Sequence, residues 1–120
     1  MSNFQQVGKA FVEHYHQTFD QNRQNVAALY QEQSMLTWED EQIMGSVNIL
    51  KKMGQLTFRS AIQELIYVDC QPSLSGGIIV FTAGLMNIDK DQTQRFSEVF
   101  HLAKANNSFY ISNHLFRLQF

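Results

Sequence analysis

The amino-acid sequence predicts an α+β domain in which helices cover one face of a strongly bent antiparallel sheet. Apolar residues in the first half of the chain recur every three or four positions, as in amphipathic helices. From about residue 58 onward, long segments rich in strand-forming residues alternate with short turns. Helices followed by an antiparallel meander indicate two segregated layers, here in a single domain over residues 1–120.

The first predicted helix begins after Asn3, whose side chain suits an N-cap. One side of this helix carries residues at intervals of three and four, with three further residues beside them. The stripe comprises Phe4, Val7, Phe11, Tyr15 and Thr18, and its neighbours are Ala10, His14 and Phe19. We expect this side to pack on the sheet.

Two shorter helices are predicted to follow. Asp20 is the expected cap of a helix over residues 22–31, and Ser46 that of a helix after Gly45. Their predicted inward residues are Val26, Leu29 and Tyr30 in one helix and Ile49, Leu50 and Met53 in the other. The prediction is therefore three N-terminal helices.

The strands are predicted from alternation and from the turns between them. A short strand over residues 35–39 is expected to form a hairpin with 43–44, and four longer strands occupy 58–71, 78–89, 96–104 and 109–120. Turns are predicted at 72–77 and 105–108. The longer strands exceed the usual ~5–6 residues, so we expect a strongly bent sheet.

Neither face of the strand over residues 96–104 is clearly polar. Its two alternating sets are Phe96, Glu98, Phe100 and Leu102 on one side and Ser97, Val99, His101 and Ala103 on the other. Three helices cover one sheet face only, so either a larger helical layer or a second copy must cover the other. A two-fold homodimer is the favoured interpretation.

The composition argues against several classes of function. A net charge of -2 and an isoelectric point near 6.0 disfavour nucleic-acid binding, which requires a basic surface. The single cysteine, Cys70, cannot form an intrachain disulfide and suits a reducing compartment. The first residues lack the features of a signal peptide, and no apolar segment approaches the ~20 residues of a membrane helix. We therefore expect a soluble intracellular protein without membrane insertion.

No catalytic residue, metal site or cofactor is predicted. His14 and His16 are two positions apart on a helix and face different directions. We interpret each of the four histidines as a hydrogen-bonded structural residue. The sequence also contains no phosphate-binding glycine loop and no nucleophile motif.

The acidic residues are grouped in two short segments. Glu39, Asp40 and Glu41 follow Trp38, which we expect to be exposed, and Asp89 and Asp91 flank Lys90. These carboxylates could be a general acid–base pair, the rim of a binding site, or solvated turns. Nearby apolar residues favour a binding rim, because apolar anchors supply affinity while charges orient the partner. These neighbours are Trp38, Leu56, Phe58, Met86 and Ile88.

Several segments, in order along the chain, resemble the nuclear transport factor 2 family. Met35-Leu-Thr-Trp-Glu39, followed by Gly45 and a helix, is similar to a family segment. The other similar segments are Phe19-Asp20 with Arg23, Gln71-Pro72, Arg95-Phe-Ser-Glu-Val-Phe-His-Leu102 and Asn113-His-Leu-Phe-Arg-Leu118. They extend from Phe4 to Leu118, so the resemblance covers nearly the whole chain.

The resemblance implies a cone-shaped fold, a homodimer and a non-enzymatic carrier in cytoplasm, nucleus and nuclear pore. Its implied partners are the GDP-bound GTPase Ran, which inserts a phenylalanine into an apolar pocket, and nucleoporins with Phe-x-Phe-Gly repeats. Phe4 is the residue implied for nucleoporin binding. The residues implied for Ran binding are Trp38, Glu39, Leu56, Phe58, Met86, Asp89, Asp91, Leu115 and Phe116.

The sequence departs from the family pattern at Lys90, Thr57, Glu64 and His114. Lys90 lowers the negative potential between the two aspartates, and Glu64 and His114 indicate rearranged polar contacts at the dimer interface. Two alternatives remain: an interaction paralogue that partners an mRNA-export receptor, and an enzyme resembling ketosteroid isomerase. The enzyme requires an acid or histidine base deep in the pocket, whereas the predicted acids lie at its rim.

Overall fold

The computed structural model describes residues 3–56, 60–88 and 92–119. These residues form two α-helices, α1 (Phe4–Asn22) and α2 (Ser46–Gln55), and 3-10 segments at Arg23–Leu29 and Leu74–Gly76. The six strands of the described chain are β1 (Tyr30–Trp38), β2 (Glu41–Met44), β3 (Ser60–Pro72), β4 (Ile78–Ile88), β5 (Gln92–Ala105) and β6 (Ser108–Gln119). No helix formed by the described residues is long and apolar enough to cross a membrane.

The strands form one open sheet in the order β2-β1-β6-β5-β4-β3. The β3–β6 meander is antiparallel, as predicted, but β1 lies parallel to β6. The prediction of a purely antiparallel sheet is therefore wrong. Alternation identifies a strand, but it carries no information about a partner some eighty residues away in the chain.

The predicted second helix is a 3-10 segment, Arg23–Leu29, so the chain has two α-helices and not three among its described residues. Asp20 is not a cap but lies inside α1. Strand β1 starts at Tyr30, five positions before the predicted start, because the backbone of Tyr30 already pairs with Ile111 of β6. The Tyr30 hydroxyl lies in the core between Tyr15 and His114. A 3-10 segment is frequent at the end of an α-helix, although a run of seven residues is longer than usual.

Helix α1 lies on the inner face of the sheet. Val12, Tyr15, His16 and Phe19 are buried, whereas the predicted Ala10 and His14 are exposed. At ~100° per residue, position 16 lies about 40° from position 12 on the buried side, whereas position 14 lies about 160° away from it.

The helix approaches the sheet closely at Gly8. A Cβ atom at this position would lie 2.5 Å from the Cys70 sulfur on β3, so only glycine allows the observed spacing.

Helix α2 buries Ile49 and Met53 as predicted, but Leu50 is 43% exposed. Its N-cap is Gly45, in the left-handed region at φ 89°, and not Ser46. At Asn3 the predicted N-cap position is confirmed, although the backbone carbonyl and not the side chain receives a bond, from Val7 N–H.

The long, bent sheet is confirmed, with strands of 11 to 14 residues in β3–β6. Register shifts interrupt β3 beside Glu64 and Leu65, and such bulges bend a strand. Gly84 on β4 faces this bulge, where a Cβ atom would lie 2.1 Å from the Glu64 carbonyl oxygen. The bend curls the sheet around α1 in a cone-like shape.

Candidate functional site

An aromatic pocket lies between α1 and the inner face of the sheet. Glu98, Phe116 and Trp38 form one cross-strand row on β5, β6 and β1. The lining residues are Tyr15, His16, Phe19, Trp38, Met86, Glu98 and Phe116. Of the residues that the resemblance implies for Ran binding, the structure thus brings Trp38, Met86 and Phe116 together.

The pocket is closed by its own aromatic rings. The Trp38 indole stacks on Phe116, with ring centroids 4.3 Å apart and planes inclined by 8°, and on Phe19 at 6.0 Å. Trp38 is 8% exposed, so the expectation of an exposed indole is wrong. The remaining space is about 10 Å³, room for about one water. An entering side chain must therefore displace lining side chains.

The polar floor of the pocket is a carboxylate between two imidazoles. Glu98 Oε1 lies 2.6 Å from His16 Nε2, and Glu98 Oε2 lies 2.6 Å from His114 Nε2. Burial alone would raise the pKa of this carboxyl. Attraction to the two histidines and their hydrogen bonds outweighs burial and lowers the pKa of Glu98 to about 2. Glu98 is therefore an anion at neutral pH.

A hydrogen-bond chain continues from this floor into the core. His114 Nδ1 lies 2.7 Å from the Tyr30 hydroxyl, which lies 2.7 Å from that of Tyr15. Burial raises the pKa of both phenols, so both remain protonated. Tyr15 can donate to Tyr30, Tyr30 to His114 Nδ1, and His114 Nε2–H to Glu98. In this direction both ring nitrogens of His114 are hydrogen-bonded.

Sequence reasoning missed this cluster. His114 was expected at a dimer interface with Glu64, but it is 1% exposed in the core, while Glu64 lies exposed on β3. The premise that the acids lie only at the rim is also wrong, because Glu98 is at the pocket floor. The available signal was Glu98 itself, an acidic residue at an inward position between Phe96 and Phe100.

Glu39 follows Trp38 at the end of β1, in the left-handed region at φ 61°. Its backbone N–H donates to the Phe116 carbonyl, and its carboxylate accepts the Leu118 N–H. Glu39 thus caps the end of the β1–β6 strand pair beside the pocket. One of its carboxylate oxygens accepts the Leu118 N–H, and Glu39 is only half-buried.

Among the remaining implied Ran-binding residues, Leu56 and Leu115 are described by the structure and do not line the aromatic pocket. Leu56 is half-buried and packs against the core. Leu115 is 50% exposed on the opposite, outer face of the sheet, so it does not line the pocket. Phe58, Asp89 and Asp91 lie outside the described residues, as does Lys90.

A second concave region, the N-terminal cleft, surrounds Phe4. It has a volume of about 290 Å³ and combines apolar walls with the Lys104 side chain. Its lining residues are Asn3, Phe4, Val7, Pro72, Gly76, Gly77, Ile78, Lys104 and Phe109. Phe4 and Phe19 are fifteen helical residues apart, which separates the cleft from the aromatic pocket by ~22 Å along α1.

The outer face of the sheet is the third candidate surface. Phe81, Val99 and Leu115 form a cross-strand row on β4, β5 and β6. Phe81 is 40% and Leu115 50% exposed, and Ile79 beside them is 40% exposed. Within the described parts of the chain, no cluster of histidine, cysteine or acidic residues is arranged to hold a metal ion.

Comparison with known proteins identifies the fold and the family. A model of the nuclear transport factor 2 (NTF2) domain matches residues 7–118. The chain belongs to the nuclear transport factor 2 family. Nuclear transport factor 2 of Oryza sativa subsp. japonica is 44% identical over 116 residues, 95% of each chain. The structure of nuclear transport factor 2 from Cryptosporidium parvum matches with a TM-score of 0.92 at 50% identity, covering 97% of this chain and 94% of that one.

Family membership confirms the resemblance drawn from the sequence. More distant structures share only the fold. The Candida albicans Mtr2–Mex67 M domain complex matches with a TM-score of 0.82 at 12% identity, over 97% of this chain and 94% of that one. A putative scytalone dehydratase from Novosphingobium aromaticivorans matches with a TM-score of 0.76 at 13% identity, over 100% and 89%. The NTF2-like fold therefore occurs in both carriers and enzymes, and function must be argued from the site.

Proposed function

We propose that this chain is a non-enzymatic nuclear import carrier. In this proposal a homodimer binds GDP-bound Ran through the aromatic pocket, binds Phe-x-Phe-Gly nucleoporins, and moves Ran from cytoplasm through the nuclear pore to the nucleus. Relatives named nuclear transport factor 2, similar over nearly their full length, support it. The observation that carries it is the buried Trp38–Phe116 stack with Glu39 at its edge.

The first step is insertion of a phenylalanine from Ran into the aromatic pocket. Burial of such a ring contributes ~1.5–3 kcal/mol from area alone. Because about 10 Å³ is free, the ring must displace a lining side chain such as that of Trp38 or Met86. The inserted ring would then replace contacts that Trp38 makes with Phe116 in the free protein.

The second step is electrostatic orientation at the pocket rim. Glu39 lies at the end of β1, and Ile88 and Gln92, which flank residues 89–91, lie at the same end of the sheet. Asp89 and Asp91 are therefore proposed to act with Glu39 on basic residues of Ran. Rim charges chiefly set orientation and encounter rate, with burial supplying affinity.

The third step is assembly and nucleoporin binding. The Phe81–Val99–Leu115 row on the outer face is partly exposed and apolar, which suits burial against a second copy. The N-terminal cleft, with Phe4 in its wall, is proposed for the repeat's phenylalanines. The ~22 Å between Phe4 and Phe19 lets one protomer hold both partners at once.

The test is calorimetric titration of GDP-bound Ran into variants of Glu39. Glu39→Lys is expected to abolish detectable binding, because it places like charges together. Glu39→Gln keeps an acceptor for the Leu118 N–H and removes only the charge. It should therefore weaken Ran binding and leave the end of the β1–β6 strand pair intact. Glu32→Lys, the same change at an exposed position ~20 Å away on β1, is the control and should bind normally. Unchanged affinity in Glu39→Lys would refute the site.

The rim is tested at the second acidic segment in the same way. Asp89→Asn combined with Asp91→Asn should weaken Ran binding strongly, whereas Lys90→Ala should leave it unchanged or slightly tighter. Both variants should retain the dimer and nucleoporin binding. Normal affinity in the double variant would assign these aspartates to a solvated turn.

The buried Glu98 cluster is the one observation that favours an enzyme as second candidate, since it places an acid and histidines deep in the pocket. One feature argues against catalysis. Both Glu98 oxygens already accept histidine N–H groups, so neither oxygen is free to take a proton from a substrate. An mRNA-export partner subunit is distinguished by assembly, because it would be an unstable monomer without its partner.

A further inference from the structure

The apolar row on the outer face of the sheet is bordered by charges of opposite sign. Asp69 on β3 lies opposite Phe81 and continues the row beyond its β4 end. At the other end, Arg117 comes two residues after Leu115 on β6 and points to the same face, because side chains alternate along a strand. Both charged residues are exposed.

Neither charge has a partner among the described residues of its own chain. Asp69 and Arg117 form no ion pair or side-chain hydrogen bond with another described residue. They cannot pair with each other, because three strand spacings of ~4.8 Å separate β3 from β6 by ~14 Å. Both residues are therefore open to an opposite charge on another molecule.

The same order of charges recurs in a second cross-strand row. Glu64 on β3 lies opposite the half-buried Leu85 on β4, which lies opposite Arg95 on β5. Glu64 and Arg95 are exposed. On the described outer face of β3–β6, acidic side chains thus lie on the edge strand β3 and arginines on β5 and β6, with apolar side chains between them.

This order of charges makes the outer face complementary to a second copy of itself. A two-fold axis that lies in the interface between β4 and β5 exchanges the two sides, so β3 of each protomer faces β6 of its partner. Each acid on β3 then meets an arginine, and the apolar rows of the two copies pack on each other. A second copy thus supplies both opposite charges at once, together with an apolar row of the same length.

We propose that Asp69 of each protomer pairs with Arg117 of the partner subunit, and that these two symmetry-related ion pairs fix which strands face each other in the homodimer. The inference rests on the proposed function in one respect, that two copies associate through the outer face. Burial of the Phe81–Val99–Leu115 row contributes affinity but is non-directional. The charges select the orientation, because like charges placed together disfavour every other docking.

Charge reversals at the two positions test the pairing. Asp69→Arg places two arginines together at both symmetry-related contacts, and Arg117→Asp places two aspartates together. Each single reversal should raise the dimer dissociation constant about 30- to 100-fold, as measured by sedimentation equilibrium at low ionic strength. The combined variant, Asp69→Arg with Arg117→Asp, restores opposite charges and should return the constant to within about 5-fold of the unmutated value.

The matched controls make the same changes of charge on the other side of the sheet. Glu13→Arg and Lys9→Asp alter exposed positions on α1 and should leave the dimer dissociation constant unchanged. The combined variant has the net charge of the unmutated protein, so its recovery reports on the pair itself.

A milder cycle keeps the test decisive if a reversal fails to fold. Asp69→Asn and Arg117→Gln change little in size and remove one charge each. Each neutral variant should weaken the dimer about 3- to 10-fold, and both together should weaken it no more than either one alone. Losses that add in full overturn the pairing.

The remaining outcomes separate the pairing from the homodimer. A dimer that tolerates both single reversals, or single reversals that the combined variant does not rescue, overturns the pairing and leaves the homodimer in place. A monomeric unmutated protein overturns both, and it leaves the outer face to a different partner.

Discussion

The two faces of strands β4–β6 differ sharply although their residues alternate along the same chain. On the inner face, the row of Thr82, Glu98 and Phe116 is at most 4% exposed. On the outer face, one residue away on each strand, Phe81 and Leu115 are 40% and 50% exposed. The inner face is completed by α1 from the same chain, whereas no described helix covers the outer face.

This difference shows how one strand can serve two purposes. Inside, polar residues such as Glu98 and His114 are tolerated because each finds partners within the chain. Outside, partly exposed apolar side chains gain from burial only when another molecule arrives. Changes on the inner face should therefore affect folding, and changes on the outer face should affect association.

The largest expected effect is on the inner face, from Glu98→Ala. The substitution leaves two buried imidazoles without their acceptor, which should reduce the free energy of unfolding by ~3–5 kcal/mol. Urea denaturation measures the loss. Glu64→Ala, on the exposed part of β3, is the control and should change stability by less than ~0.5 kcal/mol. Similar stability of the two variants would contradict the structural role of the cluster.

The pH dependence of the free energy of unfolding reports on the Glu98 carboxylate. The folded-state pKa of Glu98, about 2, lies below its ordinary value of 4.5, so its stabilisation is present above pH 4.5 and is lost as the pH falls through 2. The free energy of unfolding of the unmutated protein should therefore fall more steeply between pH 5 and pH 2 than that of Glu98→Gln. Parallel curves would mean that the Glu98 pKa is not lowered.

A charge on the outer face should act on assembly instead. Val99→Glu, or His101→Glu, places a carboxylate in the proposed dimer interface and should raise the dimer dissociation constant on the order of 100-fold, about 2.7 kcal/mol. Sedimentation at micromolar concentration should show monomer or aggregate. Gln17→Glu, exposed on α1, should remain a dimer. A well-folded monomer of the unmutated protein would contradict the dimer proposal.

The N-terminal cleft belongs to neither face and should respond independently of both. Phe4→Ala removes an apolar wall and should weaken Phe-x-Phe-Gly binding by ~1–3 kcal/mol, with Ran binding nearly unchanged. Titration of each partner into the variant measures this. Equal loss of both activities would indicate damage to α1 and not to a binding residue.

The smallest effect is expected at the far end of the inner hydrogen-bond chain. Tyr15→Phe removes one donor to Tyr30 and should cost ~0.5–1.5 kcal/mol of stability. Tyr30→Phe interrupts the chain beside His114 and should cost more, because it leaves His114 Nδ1 without a donor. Urea denaturation of both variants gives the order, and the reverse order would contradict the proposed direction of the chain.

Helix α1, the long strands β3–β6, their turns and the alternation of faces could be predicted from the sequence. These follow from local rules, because a period of 3.6 or 2 reflects the geometry of one element. The outward Val99 and inward Phe100 were predictable for this reason. The family was also recognisable, since its segments occur in order from Phe4 to Leu118.

The parallel pairing of β1 with β6, the burial of Trp38 and the floor of the pocket depend on contacts between distant parts of the chain, and they could not be predicted from the sequence. The floor joins His16 to Glu98, 82 positions apart, and Tyr30 to His114, 84 positions apart. The curled sheet creates these contacts by placing α1 over β5 and β6, and no local pattern records which distant side chains will meet. The sequence therefore shows a histidine on a helix, whereas the carboxylate that pairs with it depends on the packed fold.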